Sequence, residues 1–300
     1  MHLFMLALAR KIVPSFVTEI FGSGNRFTTR IALLAALGSF LFGFDTGVIG
    51  SAEPYFVPAL HIGTFGESWS VGSLLIGAIT AAASGYLADR ISRRWTMFAS
   101  GCVFFGAAVV SAFSPTIEYL VAARFVIGLG VGTASFVAPM YISEHSPKHL
   151  RGGMTAFSQL MITFGILVAY LSDYGFSGFG AANWRWMFAI EAVPGAALAI
   201  AMLVVPHTPR WLVQNGRVDE ARAVLRRTRA GTDPEDEVAD IQDVVRTESR
   251  TSLWRALTSR RLLPFLTVGV VIAGLQQAVG INAVIYFGSQ DLMKEPNERR

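Results

Sequence analysis

The sequence predicts an all-α membrane protein of about seven transmembrane helices, and three observations carry that prediction. Its residues are 52% hydrophobic and only 15% charged, a balance suited to a chain whose solvent is lipid. Apolar runs of the length that a bilayer core requires of a helix recur along it. The cations fall in short clusters between those runs, a pattern that encodes membrane topology rather than a nucleic-acid surface. The net charge of +4 therefore gives no reason to expect DNA or RNA as a partner. The one cysteine, Cys102, lies in an apolar run, which excludes a disulfide framework within the chain.

In chain order, Met1 to Phe16 is apolar but carries Arg10 and Lys11 after its hydrophobic part and has no small-residue cleavage site, so it does not read as a signal peptide. Residues 1–30 are expected to be a cytoplasmic segment. Six spans follow near 31–51, 68–88, 95–113, 119–140, 154–173 and 185–205, making a six-helix bundle over 31–206. Arg26 and Arg30 precede the first span, Arg90, Arg93 and Arg94 join the second to the third, and Lys148 and Arg151 join the fourth to the fifth. The opposite loops are poor in cations, which places the N-terminus inside. Residues 207–262 are rich in both Arg and acidic residues and are expected to form a cytoplasmic helical linker. Within it, Thr232-Asp233-Pro234-Glu235 reads as a helix start, with Val238, Ile241 and Val245 following at helical spacing. Arg217 to Arg229 reads as an earlier short helix with Ala221, Val224 and Leu225 as its apolar stripe. A solvated charged module and a gating role both stay open for this region. A seventh span is expected at 263–288, followed by a polar tail at 289–300.

Within the spans, polar residues mark candidate sites. Asp45 stands inside the first, where a carboxylate costs on the order of 3 kcal/mol, so it must be paired, protonated or facing water. Arg124, in the fourth, lies at matching depth and is its expected partner. A carboxylate that depends on an adjacent Arg takes up a proton when that contact loosens, as a proton-coupled carrier requires; a static ion pair between two helices is the alternative. Gln276, Gln277 and Asn282 give the seventh span three amides, which offer both donors and acceptors to sugar hydroxyls. They point in three directions on a straight helix, so the span faces a cavity on more than one side or breaks near Gly274 and Gly280. Gln159, with Thr163 one turn on, is a further polar stripe, either ligand or packing. Gly38, Gly43, Gly47 and Gly50 in the first span, and Gly128, Gly130 and Gly132 in the fourth, suggest close helix packing.

The motifs become specific when read together: Phe42-Gly43-Phe44-Asp45, Asp89-Arg90 with Arg93-Arg94, Arg124 with its glycines, Pro139 to Glu144 running on to Arg151-Gly152, Pro209-Arg210-Trp211-Leu212, and Gln276-Gln277 leading to Asn282 and Tyr286. From about 30 to 288 the chain resembles the sugar porter family of the major facilitator superfamily. The resemblance implies two six-helix halves with a monosaccharide bound between them, here C-terminally truncated, in a multi-pass protein of the plasma membrane or bacterial inner membrane. It implies that Gln159, Gln276, Gln277 and Asn282 are sugar ligands and that Phe42 and Tyr286 pack on or close over the sugar. It implies that Asp45 and Arg124 form a proton-coupling pair, which favours symport with protons over facilitative uniport. Asp89, Arg90, Arg93, Arg94, Glu144, Arg151 and Arg210 are implied to form a cytoplasmic charge network that holds the two halves together.

Two residues depart from the family pattern: Ser92 replaces the usual glycine, and His207 stands where a glutamate is usual. The expected inside gate is correspondingly weaker. After Tyr286 the chain is polar and ends with Lys294, Arg299 and Arg300, so it is expected to be an incomplete copy that does not complete a transport cycle alone. The rival readings are a seven-span receptor, which the inside N-terminus disfavours, a non-transporting sugar sensor, and a polyol or inositol carrier. No nucleophile, metal cluster or phosphate loop appears, so neither an enzyme nor a cofactor is expected.

Overall fold

The fold is that of a computed structural model, which describes residues 26–80, 83–147, 150–229, 233–249 and 263–280. The described residues form helices joined by short connections, with no strand among them. In chain order the helices are α1 (Arg26–Ala59), α2 (Thr64–Thr80), α3 (Ser84–Ile91), α4 (Arg93–Ala112), α5 (Ile117–His145), α6 (Arg151–Phe176), α7 (Asn183–Ile190), α8 (Ala192–Val204), α9 (Pro209–Gln214), α10 (Val218–Thr228), α11 (Pro234–Ser249) and α12 (Leu263–Ala278). Five are long and apolar enough to cross a membrane when α7 and α8 are taken as one span, and α2 with α3, bent by 48°, makes a sixth. α12 supplies the first 16 residues of the expected seventh span, and Gly280 just beyond it takes φ +73°. The remainder of that span lies outside the described residues.

Each of the first six spans begins before the apolar stretch that marks it in the sequence, and the first, second, fourth and fifth also end beyond it. Hydropathy registers where lipid is, whereas a helix ends only where its backbone bonding stops. The interruption between α7 and α8 falls at Glu191 and has a local cause. Pro194 has no N–H to return to the Ile190 carbonyl, so the regular ladder is cut at that point.

The bundle is organised around α1, which α5, α6 and α8 wrap so closely that it is buried on nearly every side from Ala35 to Phe56. Small residues make this possible. A Cβ on Gly43 would overlap the Ile162 carbonyl of α6, and Gly165 of α6 meets the Phe40 carbonyl in return, so the two backbones interlock. Gly128 of α5 is held in the same way against Leu74 of α2. Two apolar clusters fill the interior. One holds Leu41, Met97, Phe104, Ile127, Val131 and Met202; the other holds Phe44, Val48, Phe56, Leu120, Trp184 and Phe188.

Beyond α8, the polar stretch forms three short helices with their own small cluster of Trp211, Leu212 and Ala221. Thr208 caps α9, its side chain accepting from Trp211 N at 3.4 Å ahead of Pro209. Asp233 Oδ1 accepts from Glu235 N at 3.1 Å at the start of α11, while Thr232, the expected first cap residue, lies outside the described residues. Arg229 fastens this module to the bundle. It donates to the His145 and Ser146 carbonyls at the end of α5, at 2.6 and 3.0 Å, and pairs with both oxygens of Glu237. The Thr28 hydroxyl of α1 adds a bond to the Thr228 carbonyl at 3.1 Å.

Candidate functional site

Asp45 on α1 and Arg124 on α5 meet in a two-pronged ion pair, with Nη1 2.7 Å from Oδ1 and Nη2 3.1 Å from Oδ2. Their neighbours show why the pair sits at this depth. Leu41 and Ile127 belong to one apolar cluster, whereas Phe44 and Leu120 belong to the other, so the pair occupies the seam between them. Both residues are enclosed, at 0% and 1% exposure. Arg124 Nε points toward the Ser70 carbonyl of α2 at 3.4 Å, and its guanidinium lies 5.9 Å from the centre of the Phe188 ring. A charge pair stripped of water is retained only with good geometry and satisfied hydrogen bonds, and this one has both.

Two further carboxyls, Glu191 and Asp173, are enclosed in the bundle at 0% and 2% exposure. Glu191, at the α7–α8 interruption, lies within electrostatic reach of Asp45, Arg124 and Asp173. Neither is among the sequence-predicted sites, although both carry the signal that exposes Asp45: a carboxylate within or at the edge of an apolar run.

The residues implied as sugar ligands are distributed differently. Phe42 is half-buried against the first apolar cluster, near the ion pair along α1. Gln159 and Thr163 lie exposed on one face of α6, joined by a bond from the Thr163 hydroxyl to the Gln159 carbonyl at 3.4 Å. Gln276 is exposed on α12, with Gln277 next to it in the same helix. Asn282 and Tyr286 lie outside the described residues.

Charged residues meet again at the other end of the bundle. Arg93, 1% exposed, lies 2.6 Å from Asp89 and 3.1 Å from Glu144 of α5, and Arg210 of α9 reaches Glu144 at 4.0 Å. Three residues grouped with this network by resemblance stand outside it. Arg94 donates to the Met202 and Leu203 carbonyls at 2.7 and 2.8 Å, closing the end of α8. Arg90 reaches the Tyr86 hydroxyl at 3.2 Å, and Arg151 is exposed at the first turn of α6 with no ion pair among the described residues. The two departing residues bond to each other: Ser92 Oγ lies 2.7 Å from His207 Nδ1, and the imidazole stacks on Trp211 at 4.7 Å. Ser92 has φ 98°, the left-handed territory that favours glycine. Burial holds the His207 imidazole below its ordinary pKa, and the charges of Arg94 and Arg217 add to that.

The helices long and apolar enough to cross a membrane enclose a buried ion pair at the seam of the bundle and a charged network at one end. Comparisons with known proteins identify the class. A family profile described as "Sugar (and other) transporter" matches residues 31–294, and the chain belongs to that family of transporters, whose members are not enzymes. It is 38% identical over 262 residues to the D-xylose transporter of Levilactobacillus brevis, covering 86% of this chain and 56% of that protein. It is 36% identical to the galactose-proton symporter of Escherichia coli (strain K12), covering 88% and 57%. Among solved structures, the partially occluded inward-open xylose transporter XylE of E. coli matches with a TM-score of 0.76 and 30% identity, over 87% of this chain and 66% of that one. The fold is thus that of the major facilitator superfamily. The chain spans little more than half the length of the curated relatives it matches.

Proposed function

We propose that this chain supplies the proton-binding half of a sugar:proton symporter, with Asp45 as the proton carrier and Arg124 as its counter-ion. The observation that carries the reading is the enclosed two-pronged pair at the seam of the bundle. While Arg124 holds both oxygens of Asp45, the carboxylate has its counter-ion and no need of a proton. A helix movement that draws Arg124 away leaves a carboxylate stranded in a low-dielectric interior, and a proton neutralises it. Two relatives support the class of ligand, one named for D-xylose and one for galactose with protons.

In this reading Gln159 of α6, together with Gln276, Gln277 and Asn282, hydrogen-bonds a monosaccharide, and Phe42 and Tyr286 pack against it. Arg93, Asp89, Glu144 and Arg210 close the cytoplasmic end of the bundle, with the N-terminus on that same side of the plasma membrane. Residues 207–262 act as the cytoplasmic linker between the bundle and the span beginning at 263. Uptake of radiolabelled sugars under an imposed pH gradient, into proteoliposomes holding this chain joined to the C-terminal half of a full-length relative such as the galactose-proton symporter, tests the assignment. Asp45→Asn is expected to reduce gradient-driven uptake about tenfold or more while leaving sugar-for-sugar exchange in place, because a neutral amide mimics the loaded state. Equal gradient-driven uptake in both proteins would remove Asp45 from proton coupling.

A further inference from the structure

Asp45, Glu191 and Asp173 are all enclosed in the bundle, and the ion pair with Arg124 accounts for only the first of them. Asp173 lies on α6 three residues, or roughly 5 Å, from its Phe176 end. Glu191 lies eight residues, or roughly 12 Å, below Asn183, the start of the next span. Asp45 lies deeper still, with Arg124 gripping both of its oxygens. Among the described residues, neither oxygen of Asp173 and neither oxygen of Glu191 has a hydrogen-bond partner. Ser51 of α1 stands beside Asp173, but its hydroxyl donates to the Gly47 carbonyl at 3.2 Å. Tyr170, one turn back on α6, is the other titratable neighbour, and Glu53 of α1 is enclosed toward the same end. No three acidic, histidine or cysteine side chains among the described residues converge closely enough to hold a metal ion. Asp173 forms no ion pair among the described residues, and the ligand that fits such an enclosed carboxyl is a proton, which removes the charge that the surroundings do not compensate.

We propose that Asp173 is a second proton-binding position of this bundle, set outward of the Asp45–Arg124 pair. Its use in transport rests on the symport reading; the occupancy of Asp173 by a proton does not.

The test is infrared difference spectroscopy of the 300-residue chain in lipid nanodiscs at neutral pH, in H2O and D2O, beside Asp173→Asn, Asp173→Glu and Asp45→Asn. Asp173→Asn is expected to remove one carboxylic-acid C=O component, one that shifts in D2O. Asp173→Glu is expected to restore such a component at a displaced frequency, which a merely structural role for the side chain does not predict. Loss of carboxylate bands in Asp173→Asn, with the carboxylic-acid region unchanged, would overturn the proposal. Should Asp173→Asn not fold, a carboxylic-acid region that does not move in Asp173→Glu overturns it equally. Neither sugar nor a gradient enters these spectra, so failure of the symport reading, seen as unchanged uptake by Asp45→Asn, is a separate result.

Discussion

Ser92 adopts a backbone conformation suited to glycine, and the bond from its hydroxyl to His207 at 2.7 Å is one compensation visible for it. Burial favours the neutral form of that imidazole, and a neutral imidazole avoids the repulsion of Arg94 and Arg217. The sign of the pH effect follows. His207 titrates lower in the folded chain than the ordinary 6.5, so its contribution is fully present above about pH 6.5 and is lost as the pH falls below that, where the unfolded chain binds a proton more readily. His207→Gln is therefore expected to flatten the acid side of the thermal-stability profile by a few degrees, measured by scanning fluorimetry between neutral and mildly acid pH. A profile parallel to that of the unsubstituted chain would exclude this histidine as the titrating group. Asp45 and Arg124 were legible in the sequence because a charge within an apolar run must find a partner. Asp173 was harder to see because it stands at the end of its run, where water is an alternative until the fold encloses it.

Helices close to contact where side chains vanish, and Gly43 shows the consequence at the scale of an element. A methyl group there would strike the Ile162 backbone, which belongs to a helix and does not swing aside. Gly43→Ala is expected to lower stability by about 1 to 3 kcal/mol, the usual cost of overpacking, read as a fall in the melting temperature in detergent. Gly106→Ala on α4, where nothing lies within 4 Å, is the control and should be neutral or stabilising by about 0.5 to 1 kcal/mol through helix propensity. Equal shifts for both would mean that α1 and α6 are less closely packed than the structure has them. Glycine density in α1 and α5 foretold close packing, but which glycine meets which helix was not written in spacing. That depends on the rotation and depth of each helix, which many distant contacts set together.

Arg229 ties the polar helical module to the membrane bundle, beside the bonds that Thr28, Ser92 and Glu144 make to it. Its guanidinium satisfies carbonyls at the end of α5 while Glu237 neutralises it, so one side chain closes a helix end and ties α10 and α11 to the bundle. Arg229→Gln is expected to leave Glu237 without its counter-ion and the α5 carbonyls poorly satisfied, at about 2 kcal/mol. Amide exchange in α10 and α11 should then quicken while exchange in α1 and α5 stays as before. Uniform slow exchange would show that the small cluster around Trp211 and Leu212 holds the module without the clamp.

The sequence by itself determined that this is a multi-pass helical membrane protein, because in lipid only a helix or a closed barrel satisfies its backbone hydrogen bonds, and continuous apolar runs of about 20 residues are the length of a helical span, not of a barrel strand. It also determined the family, since its motifs recur in order along most of the chain. Tertiary structure decided which charges meet. Arg93 joins Asp89 and Glu144, whereas Arg90, Arg94 and Arg151 turn elsewhere, and Glu191 comes within reach of the Asp45–Arg124 pair. Charge type is a property of a residue, but pairing is a matter of a few ångströms, and those distances exist only once the helices have packed.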